Sequence, residues 1–392
     1  MKNKILKYWP RNFRRTCALS AVLAGLSANS HAVAPSYTWS ALVDSQPTTT
    51  ASISLRGLEL SSDNAFVYGS WIQPTGASGG VPYRAVVQYD AVTGAELNRR
   101  TLNIGSPTTT NGNQVKALAT DDRGYVWVGT GQPAGAPTPF VQSFTASLGT
   151  ESGPYATSGN ATVDGKLIGG LAVRHVGPTY YLYVAREGGP SEAYIQRINI
   201  NNPLNPVLDT SFGTGGYFNV SSLQGFSTAG FARGIEVGVD GTIYLATVDN
   251  TGAGPSSGRV YRIASDLSSA TSAAVSGAFD ISLAGSELYV SRYSPLNTAG
   301  VTVLNEADLS LVTNAPTGTA TFPRTNANND NGYSDIDVAS DGRIFVADQV
   351  WNAGNNFDRL LVATPSPEPA SGLLLGLGGL AMLVRRRRAS VV

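Results

Sequence analysis

One pattern of apolar and polar positions returns six times along the chain. An alternating apolar strand is followed by a turn carrying Asp, Asn or Gly, and then by a second strand centred on an aromatic residue or Val. It runs through GLELSSDNAFVYGS (57–70), VKALATDDRGYVWVGT (115–130), GGLAVRHVGPTYYLYVA (169–185), RGIEVGVDGTIYLAT (233–247), AFDISLAGSELYVS (278–291) and SDIDVASDGRIFVAD (334–348). Alternation with a period of two, broken by turn residues, predicts β-hairpins. With Val67, Trp127, Tyr183, Tyr244, Tyr289 and Phe345 as equivalent positions, the spacings are 60, 56, 61, 45 and 56 residues. Repeats of roughly this length are those of propeller blades.

A third strand follows most hairpins, as in YRAVVQYDA (83–91), AYIQRINI (193–200), GRVYRIAS (258–265) and AGVTVLNE (299–306), and a weaker fourth appears in AELNRRTLNI (95–104). The last unit has only three strands, whereas SYTWSALV (36–43) has no local partner. Placing residues 36–43 as the outer strand of the last unit closes a ring and covers an open edge. The expectation is an all-β, six-bladed β-propeller over residues 36–364. A seven-bladed ring with a degenerate blade in residues 138–166 is the alternative.

Composition agrees with a turn-rich exported protein, with 44 Gly, 21 Pro and only 14% charged residues in 392. The zero formal charge hides an asymmetry, because ten basic residues sit at the two ends and residues 33–364 carry about −9. Such a body repels nucleic acid, so no nucleic-acid partner is expected.

The ends read as targeting signals. A basic start, the apolar run Cys17 to Leu26 and the small residues before Ala32 predict a signal peptide over residues 1–32, routed through the Sec export machinery. That leader takes the sole cysteine, which excludes disulfides and thiol chemistry from the mature chain. At the other end, Gly372 to Val384 is an uncharged stretch that reads as a short C-terminal transmembrane helix of about 20 Å, marginal as a span, through which the chain meets the membrane. Arg385, Arg386, Arg387 and Arg388 follow it and hold the C-terminus on the cytoplasmic side as a stop-transfer cluster.

Pro367-Glu368-Pro369, the Gly/Leu-rich helix and the arginine cluster together resemble the sorting signal of PEP-CTERM proteins. The resemblance implies processing of residues 365–392 by exosortase, a membrane-embedded transpeptidase of Gram-negative bacteria that make exopolysaccharide and biofilm. It also implies passage through the inner membrane to the envelope, cell surface or extracellular matrix. Extracellular polysaccharide or envelope proteins are then the expected partners. Inside the body, Leu208-Asp209-Thr210-Ser211-Phe212-Gly213-Thr214-Gly215-Gly216 is similar to the core of delta-60 repeats, which implies a repeat fold.

Candidate chemistry is sparse. His175 is the one histidine outside the leader and falls in a hairpin turn, so neither a Ser-His-Asp triad nor a paired-histidine metal site can be built. NANNDNGYSDID (326–337) is rich in oxygen ligands but has Asn331 where an EF-hand loop requires glycine. Trp71 and Trp351, at strand ends, are the two aromatics placed for stacking on a ligand. Inner-strand starts put Glu59, Glu236, Asp280, Asp335 and Asp337 around the channel, with Arg56 and Arg233 as possible counterions. These carboxylates are tentative channel or metal residues, Ca²⁺ being the hard cation they suit. Two functions follow: a non-catalytic binding or structural module, or a metal-dependent hydrolase or lactonase. No catalytic residue is assigned.

Overall fold

A computed structural model describes residues 37–44, 54–73, 83–102, 114–131, 140–149, 152, 155–156, 168–186, 193–227, 230–250, 255–294, 300–312, 331–352 and 355–365. Beyond a single 3₁₀ turn at Val220–Ser222, the regular structure there is all β. The signal peptide, Pro367-Glu368-Pro369, the four terminal arginines and residues 326–330 lie outside the described residues.

The strands follow the repeats. After β1 (Tyr37–Asp44), the first repeat supplies β2 (Ser54–Leu60), β3 (Phe66–Gln73), β4 (Tyr83–Asp90) and β5 (Glu96–Thr101). The second supplies β6 (Gln114–Thr120), β7 (Tyr125–Gly131), β8 (Phe140–Thr145) and β9 (Tyr155–Ala156). The third has β10 (Ile168–Val176), β11 (Thr179–Arg186), β12 (Tyr194–Asn199), β13 (Val207–Leu208) and β14 (Tyr217–Asn219), and the fourth β15 (Gly230–Val237), β16 (Ile243–Asn250), β17 (Pro255–Ile263) and β18 (Ala270–Ala274). The fifth has β19 (Ala278–Ala284), β20 (Glu287–Ser294) and β21 (Gly300–Asn305), and the sixth β22 (Asn331–Val338), β23 (Ile344–Asn352) and β24 (Asn355–Pro365).

All of these strands pair antiparallel. The first four repeats each form their own sheet, whereas the last two join through the pairs Tyr293↔Gly332 and Ser294↔Asn331 of β20 and β22. β1 pairs along β24, from Tyr37↔Pro365 to Asp44↔Arg359, so β24 is hydrogen-bonded on both sides. Strands β8 and β9, within the stretch 138–166, belong to the second sheet. The segment 208–216 is a turn between β13 and β14, where Gly213 takes a φ of +54°. A Cβ there would lie 2.2 Å from the Tyr217 carbonyl oxygen.

The first strands of the repeats neighbour one another in chain order, β2 on β6, β6 on β10, β10 on β15, β15 on β19 and β19 on β22, and β22 returns to β2. The apolar core is divided accordingly. Each of these hydrophobic clusters lies between consecutive repeats: Val86 with Val126 and Phe144, Trp127 with Leu182, Tyr183 with Leu245, Tyr244 with Leu288, and Val303 with Val346. Leu58 and Val87 of the first repeat pack on Phe345 and Leu360 of the sixth. Alternation along the inner strands turns apolar side chains to both neighbouring repeats, which is why the cores form between repeats. The aromatic positions seen in the repeat fill these interfaces, with Trp127 and Phe345 fully buried.

Candidate functional site

Each first strand carries a register shift against its hairpin partner at the same place in the repeat. It falls between Leu55 and Gly57, Val115 and Ala117, Ile168 and Gly170, Ala232 and Ile235, Ala278 and Asp280, and Tyr333 and Asp335. Such a bulge inserts a residue that the ladder does not pair, re-aims its side chain and disturbs nearby amides. The inserted residues include Arg56, Lys116, Arg233, Phe279 and Ser334, and all of them line one cavity of about 340 Å³. First strands of all six repeats wall this cavity, so it lies on the axis of the ring.

The residue after the bulge is small in four repeats because the next strand crowds it. A Cβ on Gly57 would lie 2.7 Å from the Lys116 carbonyl oxygen, and one on Gly234 would lie 2.2 Å from Asp280 Oδ1 and 2.4 Å from Asp280 Cα. In the last two repeats this position is Asp280 and Asp335, and each carboxylate takes an amide of the following strand. Ile336 N donates to Asp280 Oδ2 at 3.1 Å, and Leu58 N to Asp335 Oδ2 at 2.7 Å.

Two residues further along, the rule repeats. Leu60 N donates to Asp337 Oδ2 at 2.8 Å, Thr120 N to Glu59 Oε1 at 3.0 Å and Val338 N to Ser282 Oγ at 3.1 Å. The junction of last and first repeats is therefore laced by side chains, and Asp358 adds a third acceptor there for Leu55 N at 2.6 Å. Buried amides without a ladder partner need such acceptors.

The five carboxylates expected at the channel all line the one cavity. Asp335 is buried and the other four are half-buried, so loss of hydration is the largest influence on every one of them. It pushes the Glu59 and Asp335 carboxyls well above the usual range, helped by the charges of Asp337 and Asp280 respectively. Asp280 and Asp337 are also raised, although amide bonds from Ile336 and Leu60 oppose the shift. The charge of Asp280 is a further cause of the rise at Asp335, so the two carboxyls titrate as a pair.

Glu236 differs from the other four. Its carboxyl accepts only its neighbour's amide, Val237 N at 3.1 Å, rather than one from the next strand. Burial and the charge of Asp337 raise it to about 8. It is the proton-holding group of the cavity least committed to the frame.

Among the described residues, no three His, Cys, Asp or Glu side chains converge in a way that could hold a metal ion. All five acids accept backbone amides, four of them from the following first strand, so part of their acceptor capacity is already used by the frame. The aromatic expectation changes as well: Trp71 is buried and offers no open face, and the Trp351 side chain lies outside the described residues. His175 sits on β10 rather than in the turn itself, exposed and stacked on Tyr180 at 4.1 Å. Sequence reasoning missed Lys116, Phe279 and Tyr293 as lining residues and Asp358 as a junction acceptor. The first two stand at the bulge position that already held Arg56 and Arg233, and an alignment of the six first strands finds them.

No protein-family model and no curated protein matches the sequence. Among solved structures, the chain is similar to an endosialidase of phage phi92, at 10% identity and a TM-score of 0.51, over 85% of this chain and 70% of that one. A Trypanosoma rangeli sialidase in complex with 2,3-difluorosialic acid is 11% identical with a TM-score of 0.47, over 84% of this chain but 58% of the sialidase. BamB from Moraxella catarrhalis is 12% identical with a TM-score of 0.36, over 78% and 85%. At such identity the first likeness bears on fold alone, and the fold it indicates is an all-β propeller.

Proposed function

We propose that the protein is an exported, non-catalytic binding or structural module whose body is a six-bladed propeller closed by β1. On this reading the Sec machinery exports the chain, exosortase processes its tail at Pro367-Glu368-Pro369, and the body is delivered to the envelope or extracellular matrix. The sorting part rests on the resemblance of the tail to PEP-CTERM signals. The non-catalytic part is carried by one observation: the channel carboxylates are used by the frame, Asp335, Asp337 and Glu59 each holding an amide of the next strand. A metal held by these residues would have to share carboxylate oxygens that already position the backbone of the next strand.

The test is the intact mass of the protein recovered from an exosortase-bearing host, beside the variant with Pro367, Glu368 and Pro369 all replaced by Ala. Loss of the arginine tail in the parent and its retention in the variant is the expected result. Equal processing of both refutes the sorting reading.

A further inference from the structure

Three bulge positions of the ring carry cations, Arg56, Lys116 and Arg233, and all three line the axial cavity. The bulge fixes where their backbones sit, so these charges are gathered by the repeat itself. Arg233 is further held by aromatic rings. Its guanidinium lies 4.8 Å from the centre of Phe279, and that ring packs on Tyr293 at 5.4 Å. Phe279 and Tyr293 both line the cavity, and both are half-buried. The same cavity is lined by Asp280, Asp335 and Glu236, whose carboxyls offer hydroxyl donors as well as carbonyl acceptors while they keep protons.

We propose that this cavity is a binding site for a small hydroxylated carboxylic acid of monosaccharide size, such as a uronic acid residue. In this arrangement Arg233 and Lys116 take the ligand carboxylate, the lining acids take its hydroxyls, and the Phe279 ring covers its apolar face. The proposal rests on the reading of the body as a binding module and names what it binds.

Charge decides between this ligand and a divalent cation, because a cation entering the cavity meets two guanidiniums and an ammonium. A guanidinium suits a carboxylate through paired, parallel hydrogen bonds. The acids weaken this preference less than their number suggests: burial raises the Glu236 carboxyl to about 8 and also raises those of Asp280 and Asp335, which lowers the charge they carry. A cavity of about 340 Å³ is at the small end of ligand pockets, which suits one sugar ring with water and excludes a polymer threaded through it.

The test is calorimetric titration of the full-length protein at pH 7 with D-glucuronate, D-glucose, acetate and CaCl₂ in turn. Glucuronate is expected to bind at least tenfold more tightly than glucose or acetate, with no calcium heat. Arg233→Gln and Lys116→Gln should each weaken glucuronate binding at least tenfold at unchanged melting temperature. Lys116→Gln lies on β6, away from the Arg233–Phe279 contact, and keeps the test usable if Arg233→Gln unfolds. Equal binding of glucose, preference for calcium, no glucuronate heat at millimolar concentration, or unaltered binding by a folded Lys116→Gln each overturns the proposal. None of these outcomes affects the mass of the processed chain, so failure here is distinguishable from failure of the sorting reading.

Discussion

Replacing Glu236 by Gln should stabilise the protein, and the gain should depend on pH. An unfolded glutamate releases its proton near pH 4.3, whereas in the fold burial and Asp337 hold the proton until about pH 8. Between these values the folded state carries a proton that the unfolded state has lost, so stability from this residue falls as pH rises through the window and levels off above it. The change from the ordinary 4.5 to about 8, at about 1.4 kcal/mol for each tenfold change in proton affinity, bounds the loss at roughly 5 kcal/mol. Water reaching the half-buried side chain lowers the bound, and the expected gain for Glu236→Gln is roughly 2–4 kcal/mol at pH 8.5, shrinking to near zero at pH 4. The glutamine carbonyl still accepts the Val237 amide. Urea unfolding followed by the fluorescence of buried Trp127 and Trp71, at half-unit steps of pH, measures the difference. A variant that is less stable than the parent at pH 8.5, or a difference that does not vary with pH, refutes the buried, proton-holding reading of Glu236.

Two further predictions concern the frame. Gly234→Ala places a methyl against the Asp280 backbone at 2.4 Å, and overpacking of this kind should cost about 1–3 kcal/mol in urea unfolding; a neutral result means that β15 and β19 do not approach as closely as described. Asp358→Ala leaves the buried Leu55 amide without this acceptor, and a loss of about 1–3 kcal/mol is expected, with hydrogen exchange quickening first at Leu55; uniform exchange across the ring would speak against a distinct junction.

The hairpins were legible because a half-buried strand must alternate, and alternation survives in sequence even where identity between repeats is low. The outer strands were less legible for the opposite reason. Strand β5 is exposed at nearly every position and β18 at most, so neither needs an apolar face. The candidate site was half legible: Glu59, Glu236, Asp280, Asp335 and Asp337 do share a cavity. Their use was hidden, since a strict period of two has no place for the bulge that puts Arg56 and Lys116 out of register. Nothing near Asp335 in the chain indicates an amide partner 277 residues away at Leu58. The ladder pairing that joins the fifth and sixth repeats into one sheet is two residue pairs at strand ends and leaves no pattern at all.

The position of β24 has a mechanical meaning. The last strand of the body lies between β23 and β1 and is paired on both sides from Arg359 to Ala363, so that stretch is not an edge that can be peeled away one hydrogen bond at a time. A body held by its C-terminal end would transmit load along two ladders at once, in shear, with β1 acting as a splint across the point of attachment. Removing Tyr37–Asp44 would convert that shear joint into an exposed edge, and the force needed to pull the ring open from its C-terminus would fall.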